Sequence, residues 1–127
     1  MVYKMDTQLL DIFNQKLLEF VADLIDVCPE IKTLKKFKLS VSMTILAKKE
    51  IPEDVFYNSV VVPYAEKVMQ RDDEFFLTES YVTSPVLAEF NIVDQLKGAW
   101  RTLDDRNKEI VWNYMQILLI ISNKIRK

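Results

Sequence analysis

The sequence predicts an all-α fold: one compact domain over residues 1–127, a bundle of five or six helices with an apolar C-terminal helix at its centre. Three observations predict it. Apolar residues recur at three- and four-residue spacing in successive segments, the signature of one buried helix face. The four prolines fall at segment edges or divide segments, and there is one glycine, Gly98, so turn chemistry is scarce inside the segments. The stretch 110–121 is apolar nearly all round, interrupted by Asn113 and Gln116, as a helix enclosed by others would be. At 127 residues the chain is long enough to bury its own core, and a composition half hydrophobic and 28% charged is that of a globular domain.

The first helix is expected to start at Asp6 or Thr7, either of which can cap it. Leu10, Phe13, Leu17, Phe20, Val21 and Leu24 form its stripe, and Pro29 closes it. Pro29 is also the expected first residue of a second helix, with Leu34, Phe37, Val41 and Ile45 on one face. Ser40, Ser42 and Thr44 weaken its propensity. Pro52, followed by Glu53 and Asp54, starts a third, because acids favour the positive end of the helix dipole. Phe56, Val60, Tyr64 and Val68 continue one side of it, and Pro63 kinks or divides it. The Val60, Val61, Val62 run has strand propensity, but a strand there would have no partner, so helix is preferred. Residues 72–85 read as a connector with one helical turn at 74–77. A helix then begins at Val86 or Asn91 and runs to Leu103. Gly98 lies inside it at a cost of about 1 kcal/mol relative to alanine, for which a close helix contact is the expected reason. Asp104 caps the last helix, and Lys124, Arg126 and Lys127 suit its negative end.

Composition restricts the chemistry. Without histidine the chain lacks the commonest general base and metal ligand. One glycine cannot build a phosphate-cradling loop. A single cysteine, Cys28, forms no intrachain disulfide and is read as a buried structural thiol. The N-terminal MVYKMDTQLL has no long apolar region, and 110–121 is too short for the roughly 20 residues of a membrane span. An intracellular protein is expected, with no cofactor and no catalytic or metal-binding residue.

Each candidate site in the sequence has a plainer role beside the chemical one. Asp72, Asp73 and Glu74 supply oxygens for a cation, yet lack the alternation and glycine of a calcium loop; capping a short helix, docked by Phe75, Phe76 and Leu77, explains them better. The pairs Glu53, Asp54 and Asp104, Asp105 stand at helix starts, where capping suffices. Lys32, Lys35, Lys36, Lys38, Lys48 and Lys49 are the best candidate binding surface, since 31–49 contains six lysines and no acid. The chain is acidic overall, at net −2, and no arginine stands in that segment to read bases, so nucleic acid is the weaker reading. Residues 50–109 hold thirteen acids against six bases, so a charged protein partner or a second copy of the chain is possible. Trp100, Trp112, Tyr114 and Phe90 are read as core before ligand pocket, whereas Tyr3, Tyr57, Tyr64 and Tyr81 are placed at the edge. Tyr64, Phe75, Phe76 and Tyr81 become partner contacts if exposed.

Three stretches carry a resemblance: FNQKLLEFVADLIDVCPEIKTLKKF, VVPYAEKVMQRDDEFFL and LKGAWRTLDDRNKEIVWNYMQILLIISNK. In order and spacing, over residues 12–124, the chain resembles small helical proteins encoded by large nucleocytoplasmic DNA viruses of algae and protists. Its diagnostic residues are Phe13 and Asn14 with Pro29 and Glu30; Pro63 and Tyr64 followed by Asp73 to Leu77; and Trp100 with Trp112 and Tyr114. The resemblance implies a viral, intracellular setting, in the infected cell or the virion, and carries no established activity or site. The leading expectation is a non-enzymatic helical module for protein–protein contacts. The alternatives are a nucleic-acid accessory protein using the lysine face, and a modulator of host signalling that holds an amphipathic helix in a groove.

Overall fold

The structure, a computed structural model, describes residues 7–78 and 92–127. Tyr3, Tyr81, Phe90 and the expected helix start at residues 86–91 lie outside them. Every regular element among the described residues is helical: α1 (Thr7–Val27), α2 (Leu34–Ala47), α3 (Ile51–Phe56), α4 (Val62–Gln70), α5 (Asp73–Thr78), α6 (Ile92–Trp100) and α7 (Asp105–Ile125). A π-helical turn (Tyr57–Val61) joins α3 and α4 into one rod.

α1 forms where its stripe predicts. Leu10, Phe13, Phe20, Val21 and Leu24 are buried, and the helix lies along α7 and against α2. Pro29 ends α1 but does not start α2. Buried Cys28 and Ile31 instead anchor a turn, in which the Ile31 N–H donates to the Cys28 carbonyl (3.0 Å) and the Leu34 N–H to that of Ile31 (3.3 Å). Two anchored apolar side chains so close together hold the chain against the core, and the helix resumes only at Leu34. Within α2 the Ser42 and Thr44 hydroxyls donate to the carbonyls four residues back, of Lys38 (3.0 Å) and Ser40 (2.9 Å), so these residues join the helix rather than break it.

Pro63 acts through the turn before it. A proline ring collides with the carbonyl four residues earlier in an α-helix. Here the backbone widens first, with the Val62 N–H donating five residues back to the Tyr57 carbonyl, and the rod continues past the proline. The valine run is thus helical. At the end of α4, Arg71 takes the left-handed conformation (φ 52°), the one positive φ among the described non-glycine residues. Its N–H meets the Lys67 and Val68 carbonyls, closing the helix as a glycine would.

The core joins α1, α2, α6 and α7 through Phe13, Leu34, Trp100 and Leu118, none more than 1% exposed. A smaller cluster of Val61, Val68 and Leu119 sits where α4 meets α7, and Phe56 and Met115 pack against both. α7 is the central apolar helix, although Ile117 and Ile120 on one strip remain exposed. Its two polar interruptions are anchors. Gln116 donates to the Val68 and Met69 carbonyls (3.2 Å each) and accepts from Arg71 (3.0 Å), which also donates to Asn113. They satisfy the end of α4 and hold Arg71 in its unusual conformation.

Candidate functional site

Two of the three acids of 72–74 are spent on structure. The Asp72 carboxylate accepts from the Phe75 N–H (2.9 Å), capping α5, and pairs with Lys67 (3.6 Å). Asp73 accepts from the Trp112 indole N–H (2.8 Å). Glu74 faces solvent. Among the described residues no group of three or more His, Cys, Asp or Glu is placed to hold a metal ion. Asp104 caps α7 by accepting from the Asn107 N–H (2.8 Å).

Glu53 departs from its expected role as a dipole residue. It is wholly buried, accepts from the Ser122 hydroxyl (2.6 Å) and forms a two-point pair with Arg126 (3.1 and 2.9 Å). Arg126 also reaches Asp54 (3.1 Å) and lies over the Tyr57 ring (4.3 Å). Burial pulls the guanidinium pKa down, but the bonds to Glu53 and Asp54 outweigh it and hold the value up, and Arg126 clasps α3 to the end of α7. No sequence signal separates Glu53 from an ordinary first-turn acid. Cys28 is buried as expected; burial, then the nearby Glu30 charge, pushes its thiol pKa up and away from the reactive thiolate.

The lysines divide. Lys32, Lys35, Lys36 and Lys48 are exposed, whereas Lys38 is half-buried. Lys49 is engaged, its ammonium with Asp11 (3.4 Å) and its carbonyl with the buried Asn14 side chain (3.0 Å). Lys32, Lys35 and Lys36 stand opposite the buried Leu34, Phe37 and Val41, and they share that outward side with something the spacing did not flag. Leu39, Met43 and Leu46 lie there too, 61%, 61% and 87% exposed. At i, i+4 and i+7 they make a continuous apolar strip, with lysines before it and Lys48 after it. The signal was present in the sequence: α2 is apolar on two faces, and one core can cover only one of them.

The aromatic candidates face inward in part. Phe76 is half-buried and meets Trp100 edge-on (centroids 5.1 Å). Phe75, also half-buried, lies against Tyr64 (5.4 Å) and beneath the Lys67 ammonium (5.3 Å). They border an apolar cleft of about 230 Å³. Its wall includes Phe20, Val21, Trp100, Trp112 and Leu118 from α1, α6 and α7, and Ser59, Tyr64 and Lys67 stand among its more exposed residues.

Fold and site together define a small all-α bundle with two unusual surfaces: an outward cationic–apolar helix face and an apolar cleft. No helix among the described residues is long and apolar enough to cross a membrane. No family model, curated protein or solved structure matches the chain.

Proposed function

We propose that the chain is a non-enzymatic interaction module, and that its docking face is the outward side of α2. The observation that carries the reading is the Leu39, Met43, Leu46 strip beside Lys32, Lys35 and Lys36. Lone exposed apolar residues are ordinary, but three in helical register on a face without acids favour a partner that is apolar in the middle and acidic at its edge. An acidic amphipathic segment of another protein has that chemistry. Nucleic acid fits less well: phosphates gain nothing from three large apolar side chains, and the segment has no arginine. On the resemblance drawn from the sequence, the partner is to be sought in the infected cell or the virion.

A photo-crosslinking residue at Met43, with one at the exposed Met69 of α4 as control, tests the reading in source cells. A protein adduct at position 43, absent at 69 and lost in Leu39→Glu/Leu46→Glu, is the expected result. An adduct with a second copy of the chain turns the module into a homo-oligomer. Salt-sensitive nucleic-acid adducts abolished by Lys→Glu changes at 32, 35 and 36 transfer the site to the alternative. No adduct above control overturns both.

A further inference from the structure

Between 110 and 121 α7 has the composition of a helix enclosed on every side, yet the bundle leaves one side of it open. Val111, Leu118 and Ile125 belong to the core shared with α1, and Leu119 packs with Val61 and Val68 of the α3–α4 rod. The remaining side carries Ile117 and Ile120, 39% and 45% exposed, and the half-buried Ile110. Together with the exposed Asn113 and Lys124 they recur at alternating steps of three and four residues, at 110, 113, 117, 120 and 124. That is the spacing of the seam along which one helix packs on another, with a period of about 3.5 residues. Two half-exposed isoleucines alone are ordinary. A seam on the open side of an otherwise enclosed helix is the place for one more helix.

The charges at the two ends of the strip say which helix. The exposed charges of the first turns are Asp105, Arg106 and Glu109, net acidic, and those at the far end are Lys124 and Lys127. Glu109 stands eight residues before Ile117, and Lys127 seven after Ile120. When a second α7 is laid antiparallel, with Ile117 opposite its Ile120, Asn113 comes opposite Lys124 and Glu109 within one residue of Lys127. The two-fold axis repeats both pairings at the other end. The helix dipoles then also oppose each other, whereas a parallel pair would set Glu109 on Glu109 and Lys124 on Lys124. We propose that this strip is the contact of a symmetric dimer, in which α7 packs antiparallel on α7 of a second copy of the chain. The outward face of α2 cannot serve in the same way, because 31–49 holds six lysines and no acid and repels a copy of itself. The α7 seam is therefore a second surface, independent of the docking face on α2. A contact of one helix pair is small, so the dimer is weak.

Sedimentation equilibrium of the whole chain, from about 10 μM to about 1 mM, covers the range of a small interface. The mass should rise from 15.0 kDa toward twice that value. Ile117→Glu/Ile120→Glu should hold it at 15.0 kDa with the circular dichroism unchanged, since both positions are exposed. Glu109→Lys and Lys124→Glu/Lys127→Glu should each weaken the dimer by about tenfold, because each sets like charges opposite one another at both ends. A mixture of these two variants should recover the wild-type affinity, for in the mixed dimer every facing pair is again of opposite sign. Leu39→Glu/Leu46→Glu, on α2, should leave the mass curve as it is. Four results overturn the inference. One is a monomer at every concentration. A second is a dimer that survives Ile117→Glu/Ile120→Glu. A third is charge variants that associate as tightly as the wild type or more so, the mark of a parallel or unrelated contact. The last is a dimer lost in Leu39→Glu/Leu46→Glu, which moves the self-contact to α2.

Discussion

Gly98 is the single glycine of the chain, and a close helix contact is the reason its position in the sequence predicts. The structure removes that explanation: outside its own helix backbone, a Cβ built at Gly98 meets no atom of the described residues within 4 Å, and the backbone is not left-handed. Gly98→Ala should therefore stabilise the protein by about 0.5–1 kcal/mol, the ordinary penalty of a glycine within a helix, read as a higher urea midpoint at unchanged slope. Tyr114 carries the clearest pH dependence. Its hydroxyl donates to the Asp23 carboxylate (2.6 Å), and this bond first, then burial and the Asp23 and Glu19 charges, raises its pKa to about 12. The unfolded tyrosine ionises near pH 10, so the folded state holds its proton longer. The stabilisation is whole below about pH 10 and is lost as pH rises from 10 through 12. Urea titrations at pH 9 and pH 11.5 should show a larger loss in the wild type than in Tyr114→Phe; equal losses would show that the bond does not matter. At this scale the sequence was legible where one residue acts on its own backbone, as Asp72 and Asp104 do in capping. It was not legible where the partner lies far along the chain. Glu53 and Arg126 are 73 residues apart, and nothing local to either announces the pair.

Between elements, the clasp of Glu53, Ser122 and Arg126 fastens the start of the α3–α4 rod to the end of α7, and Gln116 with Arg71 fastens the other end of the rod. The rod needs both, because its π turn and Pro63 give it weak local helix-forming power. Arg126→Met strands a buried carboxylate. The expected cost is about 3 kcal/mol, the low end for a broken buried pair, because Arg126 is a quarter exposed. Adding Glu53→Met and Ser122→Ala removes the stranded charge and should restore most of the loss, since replacing such a cluster by apolar residues of similar size is often neutral or better. A triple variant no more stable than Arg126→Met in the same urea titration would mean that the clasp acts through shape and not charge. The elements themselves were largely readable, because a buried face leaves its period in the sequence: α1, α7 and the helical valine run lie where the pattern puts them. The start of α2 was not. Pro29 fits a first helical turn, and what displaces the helix to Leu34 is the burial of Cys28 and Ile31, which only the assembled core decides. The outward strip of α2 is a different case: the expected face of Leu34, Phe37, Val41 and Ile45 is the one the core takes, and the period that announces it does not announce that Leu39, Met43 and Leu46 are left uncovered.

For the whole molecule, the question is whether the α3–α4 rod can part from the rest. Its cluster contains three buried residues, Val61, Val68 and Leu119. The rod cannot hold its form on that cluster, so it depends on the Glu53 clasp, on Gln116, and on Phe56 and Met115, which pack into both clusters. Phe56 also meets Phe13 of α1 at 5.5 Å, which ties the rod to the largest core. The chain should therefore unfold as one unit. Two probes that see different parts check this. Trp100 and Trp112 report by fluorescence on α6 and α7, while circular dichroism at 222 nm sums every helix, including the rod. In urea the two curves should superimpose with one midpoint and one slope. A dichroism loss that precedes the fluorescence change would show the rod melting alone. In that event the α4 side of the cleft would be a separately ordered wall.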